Sequence, residues 1–234
     1  MKYTILILFT AIFYIACNKV DPTVDLDFHY DYYPVDTGHT LIYDVDSIFY
    51  DDFFVPVKID TVTYQIKEVI VSTFMDNENR ISYRVETFKR YDDDGEWNIE
   101  KVFYKNRTAT TAERVEDNLR FIKLIFPPKE GTVWKGNAYI VAKDDLKYLK
   151  DWEYEIMSEG DPYPVGTLNF NETVTVEQEN ELNAIEQHYG LEVYAKNVGL
   201  IYKQLINLDR KNNAFGDWES GFILTYTINS YIAP

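Results

Sequence analysis

Apolar and polar residues alternate with a period of two along most of the chain beyond residue 33. In the segment TVTYQIKEVIVSTF (61–74), for example, Val62, Tyr64 and Ile66 fall on one face of an extended chain, and Gln65 falls on the other. Such alternation is typical of a β-strand that buries one face. The pattern predicts about eleven strands, over residues 39–50, 61–74, 80–91, 97–104, 119–126, 133–142, 152–158, 172–178, 191–197, 200–208 and 222–232.

The connections between these segments are short and rich in turn residues. The third and fourth strands flank DDDG (92–95), an Asp-Gly turn that favours a hairpin. Helix is expected only as a turn or two at residues 144–150 and 180–187. A sheet this long must curl or fold over to bury its apolar face. The sequence therefore predicts an all-β fold, an antiparallel meander curled into a barrel, a half-barrel or a two-sheet sandwich, with minimal helix.

The N-terminus carries an apolar run that is too short to cross a membrane. Residues 5–16 are apolar except for Thr10, whereas a membrane-spanning helix needs about 20 apolar residues. The run fits the apolar region of a signal peptide. Its end, Tyr14-Ile15-Ala16-Cys17, resembles the bacterial lipobox, which implies that Cys17 is diacylated and becomes the mature N-terminus. The alternatives are an ordinary secretory signal and an uncleaved anchor with a buried thiol.

These features predict three segments: a lipoprotein signal peptide (1–16), a polar tether (17–32) and a single β-domain (33–234). Cys17 is the only cysteine of the chain. Its acylation would leave no thiol for a disulfide, a Cys₄ zinc site or a cysteine nucleophile.

The chain is strongly acidic, with a formal net charge of −16 from 23 basic and 39 acidic residues. Removal of residues 1–16 deletes Lys2, so the mature chain carries 22 basic residues against 39 acidic ones, about −17. Proteins bind nucleic acid through clusters of Lys and Arg, and this sequence has no basic run. We therefore exclude nucleic acid as a partner and expect the lipid, not surface charge, to hold the protein on its membrane.

Sequence motifs for catalysis are absent. The chain contains no G-x-S-x-G, G-x-x-x-x-G-K-[ST], G-x-G-x-x-G or H-E-x-x-H. His29, His39 and His188 are far apart in sequence and are expected to be surface or turn residues, although the fold could bring them together at a metal. We predict no catalytic residue, no metal site and no cofactor.

Two further patterns have a functional and a structural interpretation. Asp92–Glu96 invites calcium, but with Gly95 at position six of an EF-hand loop, positions one and twelve are Arg90 and Lys101. A solvated hairpin tip is the better interpretation. Pairs of carboxylates, as glycosidases use, are unavoidable among 39 acidic residues. The four tryptophans could form a sugar-stacking platform, although core packing explains them more simply: Trp97, Trp134, Trp152 and Trp218.

Three strings resemble a known group: YYPVDTGHTLIYDVDSIFYDDF (32–53), RFIKLIFPPKEGTVWKGNAY (120–139) and VYAKNVGLIYKQL (193–205). They are similar to segments of Bacteroidota envelope lipoproteins of unknown function, and the resemblance covers residues 32–230. It implies an envelope lipoprotein and provides no catalytic residue. His39-Thr40 stands where such proteins often have an aromatic pair.

Two tripeptides, Asp46-Ser47-Ile48 and Asp60-Thr61-Val62, resemble the Asp-Ser/Thr-apolar pattern used for O-glycosylation in this bacterial group. Ordinary strand residues are the alternative interpretation. Thr61 is the stronger candidate because it is predicted to begin a strand, whereas Ser47 lies within one.

The sequence thus predicts an outer-membrane lipoprotein, on the cell surface or in the periplasmic leaflet, with an unknown protein or glycan partner. Residues after Cys17, Asn18-Lys19-Val20-Asp21, weakly resemble a surface-export signal. A noncatalytic binding or interaction module is the main hypothesis. The alternatives are a surface polysaccharide hydrolase and a carrier of an apolar ligand in a barrel cavity.

Overall fold

The computed structural model describes residues 27–141, 152–210 and 216–234. Within these ranges the chain forms a short 3₁₀ turn (Tyr30–Tyr32) followed by strands. They are β1 (Thr40–Asp51), β2 (Lys58–Met75), β3 (Ile81–Arg90), β4 (Asn98–Arg107), β5 (Thr111–Glu116), β6 (Leu119–Ile125), β7 (Val133–Lys135), β8 (Glu153–Val165), β9 (Leu168–Leu182), β10 (Glu186–Ala195), β11 (Gly199–Asp209) and β12 (Ser220–Ile232).

The twelve strands form one antiparallel sheet in the order β6-β5-β4-β3-β2-β1-β12-β11-β10-β9-β8-β7. Sequential strands are neighbours, as in a meander, and β1 joins the two halves by pairing with both β2 and β12. The sheet curls until its edge strands β6 and β7 approach each other, so the fold is a nearly closed barrel. The predicted all-β class and antiparallel meander are confirmed, and the barrel is the arrangement found among the three that were expected.

Two hydrogen bonds connect the edges of the sheet at the seam. The backbone N–H of Ile122 on β6 donates to the carbonyl of Gly136, just after β7, over 2.6 Å. The indole N–H of Trp134 donates to the Ile122 carbonyl over 2.9 Å. Gly136 is required here because a side chain would overlap the buried ring of Tyr154. The seam therefore satisfies edge groups that an open sheet would leave unpaired.

The N-terminal segment closes one end of the barrel. Tyr32 and Tyr33 are buried in the core, so the packed body of the protein begins before residue 33. Hydrogen bonds hold the segment to two turns at this end. The side-chain hydroxyl of Tyr30 donates to the Ala109 carbonyl over 2.9 Å, and the backbone N–H of Asn197 donates to the Asp31 carbonyl over 2.8 Å. We call this the plugged end.

The opposite end, here called the hairpin end, is formed by the β1–β2, β3–β4, β5–β6 and β9–β10 turns, as the strand registers require. The β1–β2 turn exposes an apolar tip of Phe53, Phe54 and Val55, with Val55 99% exposed. The DDDG turn lies at the same end and is exposed, as predicted for a solvated hairpin tip.

Some local predictions are wrong. Residues 180–187, expected to include a helical turn, belong to the ends of β9 and β10 and the tight turn between them. β5 was missed, and β7 is much shorter than the predicted segment 133–142. The predicted turn of helix at 144–150 lies outside the described residues, as does Cys17. Within the described ranges, we find no helix with the length and apolar character needed to span a membrane.

Candidate functional site

The interior of the barrel contains a cavity of about 470 Å³. It extends from Tyr33 at the plugged end to Asp117, Asn207 and Phe222 toward the hairpin end. Its volume is within the range of sites that enclose small organic ligands. Its wall is unusual for a barrel core because it combines aromatic and aliphatic side chains with nine charged ones: Glu68, Lys101, Lys105, Arg114, Glu116, Asp117, Lys123, Glu192 and Lys203.

Arg114 on β5 is the centre of one charged group. Its guanidinium contacts Glu68 at 3.1 Å and Glu116 at 2.8 Å, and stacks on the ring of Phe103 at 3.5 Å. Lys101 also pairs with Glu116. Burial alone would raise the pKa of Glu116, but Arg114 and Lys101 outweigh it and lower that pKa to about 2. Glu116 is therefore a permanent anion and not a proton donor at neutral pH.

A second charged group lies on β6 and β10. The ammonium of Lys123 contacts Glu192 at 2.7 Å, and the hydroxyl of Tyr194 donates to the other Glu192 oxygen at 2.5 Å. Burial lowers the pKa of Lys123 to about 8, opposed by the neighbouring Glu192. Burial opposes ionisation of Glu192 as well, but Lys123 and Lys203 outweigh it and lower its pKa. This pair is ionised at neutral pH.

Two lysines of the cavity have no ion-pair partner among the described residues. Lys105 on β4 is 7% exposed, and its ammonium lies 5.2 Å from the ring centroid of Tyr33. Lys203 on β11 lies over the ring of Tyr226 at 5.8 Å. Burial lowers the pKa of both lysines, partly opposed by the carboxylates of Glu68 and Glu192. Those carboxylates are already paired with other cations, so the cavity retains an excess of positive charge.

The charge of the cavity wall is opposite to that of the whole protein. Five cationic and four anionic side chains line the cavity, whereas the whole chain has a net charge of −16. The acidic outer surface of the protein repels an anion, whereas the cations of the cavity wall attract one. The single excess positive charge of the wall therefore favours an anion in the interior.

The remaining wall is apolar or carries unsatisfied polar groups. An aliphatic and aromatic side is formed by Leu119, Phe121, Leu205, Phe222 and Leu224. The indole Nε1 of Trp152 and the amide Nε2 of Gln178 are buried and have no hydrogen-bond partner among the described residues. Buried donors normally have a partner, so these two groups are available to a bound molecule.

A separate polar cluster lies near the β9–β10 turn. It consists of Glu179, Glu181 and His188, with one donor atom from each within 4.8 Å of the others. Burial raises the pKa of Glu179 to about 7, opposed by His188. In the part of the chain that the structure describes, this is the one group of three such side chains close enough to share a metal ion.

The three histidines do not form a common site. His39 is buried, its Nε2 has no partner among the described residues, and burial lowers its pKa to about 4. His29 lies at the plugged end with Asp27 at 3.4 Å. His188 alone belongs to a candidate site, which the prediction of no metal ligand did not anticipate.

The four tryptophans have different surroundings and do not form a common platform. Trp134 belongs to the seam, and Trp152 lines the cavity. Trp97 contacts the cations Lys67 and Arg90. Trp218 stacks on Arg210. Core packing and cation contacts account for most of them. The sugar-stacking interpretation is not supported by this arrangement.

The two candidate glycosylation sites differ in accessibility. Thr61 is exposed and lies within β2, three residues after the strand begins, instead of at its first residue as predicted. Ser47 on β1 is half-buried and pairs with Leu224, a cavity-lining residue, so it shares the cavity side of the sheet. Thr61 stays the better candidate, and its modification stays a prediction.

Sequence analysis missed the charged cavity wall, although one signal was present. In β2, Ile66, Glu68 and Ile70 occupy alternate positions, and all three are buried. A charged residue in phase with apolar ones indicates a buried charge that needs a partner. Such a position was a recognisable candidate, but its partner Arg114 lies 46 residues away and only the fold identifies it.

A shallower groove of about 510 Å³ lies elsewhere on the protein, lined by Phe74, Arg84, Val102 and Asn118 among others. These four side chains are exposed to solvent. Solvent can therefore satisfy their polar groups without a ligand. The barrel interior, with its buried charges, is the stronger candidate.

No family model matches the chain, and no curated protein matches it. Among solved structures, the fold is similar to a candidate exported protein with a YmcC-like fold from Bacteroides fragilis, with 10% identity over 85% of this chain and 97% of that chain and a TM-score of 0.42. It is also similar to a candidate lipoprotein from Parabacteroides distasonis, with 10% identity over 86% and 98% and a TM-score of 0.35. Likeness at this level carries no conclusion about ligand or location.

Proposed function

We propose that the protein is a noncatalytic, lipid-anchored protein of the cell envelope that binds an amphipathic organic anion inside its barrel. The ligand proposed here is an amphipathic anion, whereas the carrier alternative from the sequence assumes a neutral apolar ligand. The location rests on the sequence, and the ligand class rests on the cavity.

The observation that carries the ligand class is a pair of lysines, Lys105 and Lys203, that line the cavity and have no ion-pair partner in the described part of the chain. Lys105 is buried and Lys203 is half-buried. Burying a charge without a partner is unfavourable by several kcal/mol, and such groups cluster at functional sites. A carboxylate, sulfate or phosphate of a bound molecule would supply a counter-charge inside the cavity that both lysines line. Lys203 lies close enough to Lys123 to contribute to the lowered pKa of Lys123.

The apolar part of the ligand is inferred from the other side of the cavity. Leu205, Phe222 and Leu224 provide a surface that a small inorganic anion would leave uncovered. A ligand that fills about 470 Å³ must therefore carry an apolar body as well as its charge. The exposed Phe53–Val55 tip at the hairpin end offers such a body an apolar first contact.

The proposed anchor agrees with this geometry. The ten residue steps from Cys17 to the start of the described chain can span at most about 36 Å, and the described chain enters at the plugged end. A lipid on Cys17 would therefore hold the plugged end toward the membrane. The hairpin end would face away from it, toward soluble or particulate sources of ligand.

The binding test uses residues 18–234, titrated with decanoate and with 1-decanol as a neutral probe of matched length. Binding is followed by calorimetry and by the change in total tryptophan fluorescence, to which Trp152 contributes from the cavity wall. We expect decanoate to bind at least tenfold more tightly than decanol. A charge-assisted hydrogen bond contributes about 1.5–3 kcal/mol, which corresponds to a tenfold to hundredfold difference.

Lys105→Met and Lys203→Met test the cations directly, with Lys196→Met as the matched control. Lys196 pairs with Glu172 at 3.0 Å and does not line the cavity. The two cavity variants should bind decanoate at least tenfold more weakly and bind decanol unchanged, while Lys196→Met should bind both normally. Equal affinity for acid and alcohol, or no effect of the cavity lysines, would overturn the anionic ligand.

Catalysis and location have separate tests. Mass spectrometry of polysaccharide incubated with the protein should show no cleavage, and any cleavage would favour the hydrolase alternative.

Cys17→Ser should release the protein from membranes, and the mature N-terminal peptide should carry acylated Cys17. Protease added to intact cells should digest a surface protein, whereas protection until lysis would place it in the periplasmic leaflet.

A further inference from the structure

A β-bulge in β9 changes which face its side chains occupy. Glu177 pairs with Leu191 and Glu179 pairs with Gly190, so Gln178 is an extra residue in this strand. Opposed residues of an antiparallel pair share a face, and neighbours along a strand alternate between faces. Glu177 and Glu179 therefore lie on opposite faces, although regular alternation would place them on the same one. Bulges often re-aim side chains at functional sites.

The face that Glu179 reaches is the one that lines the cavity. Gly190 and His188 are two residues apart on β10, and His188 pairs with Asn207, a cavity-lining residue. Glu181 pairs directly with His188. The bulge thus places both carboxylates beside the imidazole, near the end of the cavity.

The distances within this cluster suit a shared ligand. One carboxylate oxygen each of Glu179 and Glu181 and one imidazole nitrogen of His188 all lie within 4.8 Å of one another. The separation between Glu179 Oε1 and His188 Nδ1 is 3.9 Å, which is too long for a hydrogen bond. Among the described residues, no Lys or Arg pairs with either carboxylate. The three groups converge without satisfying one another.

Gln178, the bulge residue that precedes Glu179, has a buried amide beside this cluster. Gln178 is 4% exposed, and its Nε2 has no hydrogen-bond partner among the described residues. Its side chain lies over Gly190, where an added Cβ would come within 3.5 Å of the Gln178 Oε1. Gly190 follows His188 on the same face. The Gln178 amide lines the end of the cavity that this cluster adjoins, and a buried donor of this kind normally has a partner.

We propose that Glu179, Glu181 and His188 bind a divalent transition metal ion, with Zn²⁺ the best match. Zinc binds imidazole nitrogen together with carboxylate oxygen, and three protein ligands leave a fourth position for water. Ca²⁺ and Mg²⁺ prefer oxygen ligands throughout, so an imidazole disfavours them. This site does not depend on the anion proposed for the cavity lysines.

Small side-chain movements suffice to close the site. Zinc bonds of about 2.0–2.2 Å place ligand atoms roughly 3.4 Å apart in a tetrahedron, compared with the separations of up to 4.8 Å found here. Glu181 is exposed at the end of β9, where its other contact is a 3.1 Å hydrogen bond from the Asn183 amide. It can rotate toward the metal while the paired backbone of β9 and β10 stays fixed.

The test is calorimetric titration of ZnCl₂ into untagged, chelator-treated protein of residues 18–234. We expect one Zn²⁺ per chain with a dissociation constant in the micromolar range or below, unaffected by millimolar Ca²⁺. His188→Gln and Glu181→Gln should each weaken binding at least tenfold. Because Glu181 is exposed, Glu181→Gln should keep the wild-type circular dichroism and melting temperature, so that lost binding is not lost folding.

Glu177→Gln and His29→Gln are the matched controls. Glu177 is two residues from Glu179 but lies on the other face of β9, and His29 lies at the plugged end. Both should bind zinc as the wild type does. The proposal fails if zinc binds no more tightly than about a hundred micromolar, or if the His188 and Glu181 variants bind as tightly as these controls. Decanoate binding, measured in parallel on the same variants, distinguishes this outcome from failure of the anion proposal.

Discussion

Replacement of Lys105 by Met should stabilise the protein while it weakens anion binding. Lys105 is 7% exposed and forms no ion pair with a described residue, and its aliphatic part is similar in size to a Met side chain. The substitution removes a charge that is buried at a free-energy penalty and keeps most of the packing. A residue kept for ligand binding at the expense of stability behaves in this way.

The magnitude follows from the contacts of the ammonium group. Burial of a charged group is unfavourable by several kcal/mol after relaxation, and the contact with the Tyr33 ring at 5.2 Å returns about 1–2 kcal/mol. Attraction to Glu68 is shared with Arg114, which lies 3.1 Å from that carboxylate. A net gain of about 1–3 kcal/mol is expected for Lys105→Met. For a domain of this length, that is an increase in melting temperature of roughly 3–9 °C.

The gain in stability caused by Lys105→Met should decrease as pH rises. Burial lowers the pKa of Lys105 in the folded protein below the ordinary value of 10.5. The penalty for the charged form is therefore complete below the folded pKa and declines as pH rises toward 10.5, where the unfolded chain also loses the proton. The advantage of Lys105→Met should be largest near pH 7 and smallest near pH 10.5.

Urea unfolding at pH 7 and 10, without added ligand, measures the effect, with Lys196→Met as a control that should change stability by less than about 0.5 kcal/mol. Addition of decanoate should raise the melting temperature of the wild type more than that of Lys105→Met, because the stabilisation of the folded state by a ligand increases with the affinity for that ligand. A Lys105→Met protein that is less stable than wild type at pH 7 would refute the reasoning. It would mean that Lys105 is a structural ion and not one kept for a ligand.

Other substitutions test the charged wall, the seam and the surface. Glu116→Gln should reduce the free energy of unfolding at pH 7 by about 2–3 kcal/mol, because the folded pKa of Glu116, about 2, lies below the ordinary value of 4.5. The stabilisation by Glu116 is complete above pH 4.5, so the difference from wild type in urea unfolding should disappear as pH falls toward 2. A difference that persists at pH 2 would contradict the pairing with Arg114. Gly136→Ala should reduce stability by about 1–3 kcal/mol or more, since the added methyl group overlaps the Tyr154 ring, and an unchanged melting temperature would show that the seam can shift. Thr61→Ala should lower the intact mass of protein from the native host by one glycan, and a mass lower only by the side-chain difference would remove the glycosylation prediction.

The sequence by itself determined the fold class and most of the strands. Period-two alternation over 61–74 corresponds to β2 (Lys58–Met75), and comparable agreement holds for β1, β3, β11 and β12. The physical reason is local: each strand buries one face, so its own residues record the alternation. The position of Cys17 likewise needs no fold to suggest an anchor, although it lies outside the described residues.

The errors in predicting secondary structure occurred where the buried face of a strand is polar, or where pairing between strands overrides the local preference for helix. In β5 (Thr111–Glu116) the cavity-lining residues are Arg114 and Glu116, so the strand shows no apolar alternation and was missed. Residues 180–187 contain helix-favouring side chains, but they pair as the ends of β9 and β10. Long-range hydrogen bonding in a sheet outweighs the small intrinsic preferences of such residues.

Only the tertiary structure decided which charged residues meet. Arg114 finds Glu68 across 46 positions of sequence, and Lys123 finds Glu192 on a strand from the other half of the sheet. The bulge at Gln178 moves the carboxylates beyond it to the cavity side, although residue types and spacing alone would keep them outside. Closure of the sheet and one extra residue in a strand are properties of pairing between distant segments. No local pattern encodes them, and they create both candidate sites.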